Sequence, residues 1–353
     1  MDGRDAQQRR KPGRRQPEDE QPASPADAPA GDSLLRPLTI GGLVLDRRLF
    51  MAPMAGLTTQ AFRRSVRRWG AGLVHTEMIA AMGIVHGNRR TLDYLACGSD
   101  EHPIGFQLFG GDATALARAA EACVAAGADL VDLNMACPVR KVVKTGAGAA
   151  LLGAPEAAEA AVRAVVAAVP AHVPVTVKIR SGLREGDEAG RRLAPRLVAA
   201  GAAAICVHPR TAAQLYRGRA DHTVTATLAA ELPVPVVASG DVDGRAAALA
   251  LLDRGAAAVM LARHAVGRPW LFREILADGP PPSNAERSAE VRRFVAEVFA
   301  TMGPRGVGYL RQFWPRFRRA RVFERELATE LMKATSEAEV SVLLARLEAP
   351  RTA

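Results

Sequence analysis

A (β/α)8 TIM barrel with a C-terminal α-helical bundle is the fold that the sequence predicts, and three observations carry it. From Leu49 onward, eight short apolar segments alternate with alanine-rich amphipathic stretches, the pattern of a parallel sheet wrapped by helices. Polar residues gather where these segments end, at the carboxyl face on which barrels keep their sites. After about Ser283 the strand signals stop and helical periodicity takes over. The 353 residues hold one barrel of roughly 250 residues plus an appendage.

The elements follow in order. Residues 1–33 are rich in Pro, Gln, Asp and Arg and poor in large apolar side chains, so they predict a disordered arm. Residues 37–46, PLTIGGLVLD, predict a hairpin turning at Gly41-Gly42. The barrel strands are LFMAPM, GLVHTEM, PIGFQLF, DLVDLNM, VPVTVKI, AAICVH, VPVVAS and AAVMLA, with helices over stretches such as 59–69, 112–126, 155–169, 187–200 and 243–254. A doubly wound sheet is disfavoured. It calls for a glycine fingerprint after its first strand, where this chain has Pro53-Met54-Ala55-Gly56. The later GAGAALLG is a partial match that follows no strand directly. Helices are expected over Glu286–Met302, Val307–Ala320, Phe323–Ala334 and Glu337–Leu347. The chain thus divides into an arm (1–33), a barrel (34–282) and a helical domain (283–353).

Composition narrows the class. No apolar run is long enough to span a bilayer, and the charged start lacks a signal peptide's apolar core. Cys97, Cys123, Cys137 and Cys206 are scattered without CxxC spacing, which argues against a zinc site and for a reducing cytoplasm. The formal net charge is +10 with a pI near 10.1, pointing to a polyanionic partner. Arg9, Arg10, Lys11, Arg14 and Arg15 are offset within the arm by Glu18, Asp19, Glu20, Asp27 and Asp32, so the excess sits in the folded part.

The chain is organised around Asp129 to Leu152, DLVDLNMACPVRKVVKTGAGAALL. Its first half alternates Leu130, Asp132 and Asn134 against Val131, Leu133 and Met135, a strand by period. Pro138 stops it, because proline has no N–H for the ladder. A basic glycine-rich loop follows, with Arg140, Lys141, Lys144, Gly146 and Gly148. A thiol at a strand end beside a cationic loop suggests acid–base or nucleophilic chemistry on an anion, although a free cysteine is also often a small core residue. Other strand ends carry Gln107, Lys178 with Arg180, His208 with Arg210, Ser239-Gly240-Asp241 and Ala262-Arg263. Such polar residues are costly unless they serve a ligand or cap helices, as Asp241 could. Lys178 resists the capping explanation. Backbone N–H groups and arginines after the last two strands form the usual phosphate site of this fold.

In the tail, Arg305, Arg311, Arg316, Arg318, Arg319, Arg321 and Arg325 interleave with Tyr309, Phe313, Trp314, Phe317 and Phe323. That mixture suits RNA, through phosphate contact and base stacking; the alternative is a solvated face over an aromatic bundle core.

Together the stretches MAPMAGLTTQAFR, GAGLVHTEM, LNMACPVRKV with GAGAALL, VTVKIRSG, VHPRTAAQLYRGRAD, SGDV and GRPWLFREI resemble the tRNA-dihydrouridine synthases, nearest the bacterial B-type branch. The likeness runs from about Leu38 to Ile275 and more loosely through the tail. It implies a flavin mononucleotide (FMN) at the barrel mouth, NADPH or NADH as reductant, and reduction of the C5=C6 bond of specific tRNA uridines to 5,6-dihydrouridine. It also implies a cytoplasmic monomer without membrane or metal. Residue by residue, Pro53, Met54 and Ala55 would line the flavin ring, Gln107 and Lys178 would bond its polar edge, and His208 would lie close. Ser239, Gly240, Asp241, Ala262 and Arg263 would hold the phosphate, and Asn134 and Arg180 would face the uracil.

Cys137 would be the proton donor, since a thiol of ordinary acidity is mostly protonated at neutral pH. The target base would swing out of folded tRNA into the pocket. The chain departs from the family at Ala136, Pro209 and Ala262, where glycine is common, and at Ser239, where asparagine is common. Two other readings compete. An FMN barrel such as a dihydroorotate dehydrogenase has no use for the arginine-aromatic tail. A tRNA-binding chaperone without turnover has no use for Cys137, Lys178 and His208.

Overall fold

The computed structural model describes residues 30–277 and 279–347. The expected arm falls outside the described residues up to position 29. Its last residues depart from the expectation, because Ala30–Leu35 form a 3-10 turn that buries Leu34 completely.

The hairpin forms as expected. β1 (Leu38–Ile40) and β2 (Leu43–Leu45) pair antiparallel, with Ile40 opposite Leu43. Gly41 turns the chain at φ 56°, and a Cβ there would meet Pro174 Cβ at 2.9 Å, so only glycine fits. The remaining strands are β3 (Leu49–Met51), β4 (Val74–His75), β5 (Ile79–Ala80), β6 (Ile104–Phe109), β7 (Leu130–Met135), β8 (Val175–Arg180), β9 (Ala204–His208), β10 (Val236–Ser239) and β11 (Ala258–Leu261). Eight of them run parallel in the order β3-β11-β10-β9-β8-β7-β6-β4, and a bridge from Phe50 to Leu73 closes the ring. β5 adds to the outer end of β6. The eight predicted strands are therefore the barrel.

Register sets the layers inside. Gln107 lies opposite Asp132 and Asp132 opposite Thr176; one layer up, Asn134 faces Lys178 and Lys178 faces Cys206; above that, Arg180 faces His208. Below these polar layers, Phe50, Leu73, Leu130, Ala258 and Met260 form an apolar plug that includes Ile40 and Leu45 of the hairpin. The hairpin thus stoppers the amino end of the barrel, and function is left to the carboxyl end.

Helices wrap the outside for local reasons. Asp112 caps Ala113–Ala125 by accepting the Ala115 N–H at 2.7 Å, and Pro155 opens Pro155–Ala168 where its missing N–H costs nothing. Helices Gln60–Arg68, Ala189–Ala199 and Arg245–Asp253 match the expected stretches within a few residues.

The tail starts at a capping box: Ser283 Oγ accepts the Glu286 N–H at 3.2 Å, and the Glu286 carboxylate accepts the Ser283 N–H at 2.7 Å. This opens Asn284–Met302, followed by Gly306–Leu310, Trp314–Arg319, Arg325–Lys333 and Glu337–Ala345. The single helix expected over Val307–Ala320 is two. Pro315 sits in the first turn of the second, where it cannot continue the first.

Two further expectations change. Tyr309, Phe313, Trp314, Phe317 and Phe323 are all buried, so they form the bundle core and offer RNA no stacking surface. The core is also continuous across position 283. Phe62 of the first barrel helix meets Phe294 edge-on at 6.4 Å and Phe313 at 5.7 Å, and Ser65 Oγ donates to Glu290 at 2.6 Å.

Candidate active site

The polar strand ends converge at the carboxyl mouth, beginning with Cys137. β7 delivers Asn134 inward, and its amide oxygen accepts the N–H groups of Ala136 at 3.1 Å and Cys137 at 2.8 Å. From the other side, the Cys137 carbonyl accepts the Ala149 N–H at 2.9 Å. Gly148, at φ 61°, allows that approach, since a Cβ there would sit 2.6 Å from the same carbonyl oxygen. Arg180 Nε donates to the Ala136 carbonyl at 2.8 Å. The segment expected to be a basic loop is a turn of helix, Arg140–Val143, and a 3-10 segment, Gly148–Gly153. The half-buried thiol therefore stands on a clamped backbone.

Beneath it runs a chain of side chains. Asn134 Nδ2 donates to Gln107 Oε1 at 2.8 Å, Gln107 Nε2 donates to Asp132 Oδ2 at 2.6 Å, and Thr176 Oγ1 donates to Asp132 Oδ1 at 2.7 Å. Burial pushes the Asp132 carboxyl up. His75, these hydrogen bonds and Lys178 pull the other way. His75 Nδ1 donates to the Met51 carbonyl at 2.8 Å, and burial lowers its pKa. Much of the polar capacity of Asn134 and Gln107 is thus spent on one another and on the Cys137 turn.

Arg180 is similarly engaged: Nη1 donates to the carbonyls of Thr211 at 2.9 Å and Leu215 at 2.8 Å. It braces the loop after β9 against β7. Lys178 differs. It is buried, yet its ammonium makes no hydrogen bond among the described residues.

His208 lies where β9 ends. Burial first, then the cations Lys178, Arg180, Arg210 and Arg263, lower its pKa to about 2, so it is neutral. Arg210 Nη1 donates to its Nε2 at 3.3 Å, which leaves the proton on Nδ1. Next to it, Gly240 has φ 113°, and a Cβ there would stand 2.8 Å from His208 Cδ2. Asp241 follows in the left-handed region at φ 54°, and its side chain pairs with Arg210 and accepts the Ala220 N–H, so it does not cap a helix. Ala262 keeps a negative φ of −130°. The backbone N–H groups of Gly240, Asp241, Ala262 and Arg263 find no acceptor among the described residues. Four free amides on adjoining strand ends, beside the Arg210–Asp241 pair, make a candidate anion cradle.

Pro53, Met54 and Ala55 follow β3, beside the end of β11. Buried Glu77 accepts the Gly56 N–H, and burial raises its carboxyl. Tyr309 from the bundle reaches this loop, donating to the Leu57 carbonyl at 2.7 Å. A cleft of about 440 Å³ leads from Arg263 along the bundle, lined by Arg268, Arg287, Arg316, Arg319 and Arg321. Among the described residues no group of three or more His, Cys, Asp or Glu could hold a metal ion, and no helix is long and apolar enough to cross a membrane.

Sequence reasoning passed over three residues. Asp132 was legible as an acid on the inward face of β7. Tyr216 stacks near His208 at 6.3 Å with the Arg263 guanidinium 4.5 Å from its ring centre, a contact made by a loop that has no periodicity to read. Glu77 lies beyond β4, in a stretch where only its apolar residues carried the pattern.

Comparison with known proteins follows the same lines. A family model described as Dihydrouridine synthase matches residues 50–342. A Pseudomonas aeruginosa protein with the curated name tRNA-dihydrouridine synthase B is 40% identical over 237 residues, 67% of this chain and 71% of that protein. A Synechocystis protein, named probable tRNA-dihydrouridine synthase 1, is 44% identical over 243 residues, 68% of this chain and 67% of that one. Among solved structures, morphinone reductase in complex with tetrahydroNAD matches with a TM-score of 0.51 at 16% identity, over 72% of this chain and 93% of that one, a likeness of fold alone.

Proposed function

The chain belongs to the dihydrouridine synthase family, and from that premise we propose that it reduces specific tRNA uridines to 5,6-dihydrouridine with FMN and NADPH or NADH. The observation that carries this reading is the clamped thiol of Cys137 sharing one mouth with an unpartnered lysine and an anion cradle. The cradle suits the phosphate of FMN: Gly240, Asp241, Ala262 and Arg263 would hold it through free amides, and Ser239 ends the strand beside them. Lys178 would donate to the polar edge of the ring, with Gln107 beneath. Pro53, Met54 and Ala55 would close one side, and neutral His208 the other. When bound there, FMN supplies the hydride for C6 of the uracil.

The protein's own part is to present the base and to deliver a proton. Cys137 Sγ gives its proton to C5, which a positioned general acid accelerates by roughly a hundred- to ten-thousand-fold. Asn134 and Arg180 hold the backbone around Cys137 and shape the wall that meets the uracil, and Arg180 Nη2, which makes no hydrogen bond among the described residues, would be left to face the base. The bundle, residues 283–353, grips RNA through exposed arginines and the arginine-lined cleft, with its aromatics kept in the core. The same reading makes the enzyme a cytoplasmic monomer, where thiols stay reduced.

The test is direct. Protein supplied with FMN, NADPH and unmodified tRNA should form dihydrouridine, detected by nucleoside mass spectrometry, and tRNA from a deletion strain should lack it at defined positions. Flavin released on denaturation should be FMN, not FAD. Absence of dihydrouridine under these conditions would overturn the proposal.

A further inference from the structure

We propose that Asp132 is the positioning residue for the Cys137 thiol, acting through an ordered relay of amides that runs from β8 to the turn after β7. The proposal rests on the reading of Cys137 as proton donor. Its structural part stands apart from that reading.

The polarity of the relay is fixed from its backbone end. The backbone N–H groups of Ala136 and Cys137 can only donate, so Asn134 must turn its oxygen to them. Its Nδ2 then faces Gln107, which must answer with Oε1. Gln107 Nε2 is thereby aimed at residue 132, where an acceptor is required. The Asp132 carboxyl, 3% exposed, meets that requirement with one oxygen and accepts Thr176 at the other. Register makes the geometry rigid, since Gln107, Asp132 and Thr176 are direct partners across β6, β7 and β8.

Remove the acceptor and Gln107 Nε2 is left buried without a partner. Gln107 is then drawn out of its place to satisfy that amide, and Asn134 loses the support that holds its oxygen against the two backbone donors. The Cys137 turn would lose its hold and the thiol its aim. Thr176 is different: its hydroxyl is an end branch, and losing it leaves Asp132 facing Gln107 unchanged.

The experiment compares Asp132→Leu, Asp132→Asn and Thr176→Val by amide hydrogen exchange resolved at Ala136 and Cys137, referenced to the Ile205 amide in the core. Asp132→Leu should speed exchange at both positions by about tenfold beyond any change at Ile205, the size of one net hydrogen bond. Asp132→Asn keeps an acceptor for Gln107, because the Thr176 hydroxyl can rotate to accept the new amide hydrogen. It and Thr176→Val should stay within about threefold of wild type. Should Asp132→Leu not fold, Gln107→Leu removes the next link and should speed the same two amides. Wild-type protection at Ala136 and Cys137 in the folded leucine variant would overturn the relay.

In enzyme loaded with FMN, Asp132→Leu should slow tRNA-dependent reoxidation at least tenfold while NADPH-dependent bleaching stays within about threefold, and Asp132→Asn should largely restore it. Freed amides with wild-type reoxidation would overturn the positioning role. A Cys137→Ala variant that reoxidises normally would instead overturn the proton-donor reading and leave the amide result intact.

Discussion

Nη2 of Arg210 lies 2.8 Å from both carboxylate oxygens of Asp241, so the loop after β9 and the loop after β10 are joined beside the anion cradle. Arg210 is almost fully buried, whereas the Asp241 side chain is 36% exposed. Asp241→Asn should therefore destabilise the fold by about 2 kcal/mol, less than the full cost of stripping a buried charge, because water reaches the carboxylate. The same change should weaken FMN binding, and parallel thermal melts and fluorescence titrations would check both. Burial raises the Asp241 carboxyl, but the Ala220 N–H and Arg210 outweigh it and the net direction is down. The depressed folded-state pKa means that the pair stabilises fully above the ordinary aspartate range. That contribution is lost as pH falls through the lowered value.

Cys137→Ala should separate the two halves of the cycle. NADPH-driven bleaching of flavin absorbance should proceed at near the wild-type rate, since it needs no proton donor over uracil. Anaerobic recovery on adding tRNA should fall by roughly a hundred- to ten-thousand-fold. Equal recovery in the two proteins, followed by stopped flow, would reduce Cys137 to a packing residue.

His208 should make the protein acid-sensitive before its carboxylates do. Its pKa falls from an ordinary 6.5 to about 2 in the folded state. Below pH 6.5 the unfolded chain takes up a proton that the folded chain refuses, so stability falls as pH drops through that window. His75 and His222 are lowered by burial as well, so they share the effect. A His208→Asn variant should lose melting temperature less steeply than wild type between pH 7.5 and 5, a range set by the histidine reference value. Identical slopes would mean that His208 is already charged when folded.

RNA binding should divide the tail into two kinds of residue. Arg319→Ala with Arg321→Ala, on the cleft, should lower tRNA affinity and reduce the salt dependence of binding by roughly one to two units of slope. Trp314→Ala should cost about 3–5 kcal/mol of stability, as large core truncations do, while the folded fraction binds RNA with an unchanged salt slope. Filter binding across a salt series reads both. An unchanged slope in the arginine variant would move the RNA path elsewhere on the surface.

The barrel was legible because its strands obey a period and its ends collect polar residues; Asn134, Lys178 and His208 appeared in the sequence at the faces they occupy. What each does with its hydrogen bonds was not legible. The resemblance implies that Asn134 and Arg180 face a base; that both also hold the backbone around Cys137 is visible only once β7 and β8 are in register. The aromatics of the tail misled for a related reason. Arginines and aromatics alternate in sequence as an RNA surface would, but a helix sorts them onto opposite faces, and the phenyl rings turn inward.

The shared packing of Phe62 with Phe294 and Phe313 decides how such a protein can be recombined. A chimera joined at Ser283 would marry one relative's first barrel helix to another's bundle and mismatch three rings, together with the Ser65–Glu290 contact. The heritable module is discontinuous in sequence: the bundle travels with residues 56–68. A tail transplanted to retarget the enzyme to another tRNA should be soluble only when that distant segment is exchanged with it.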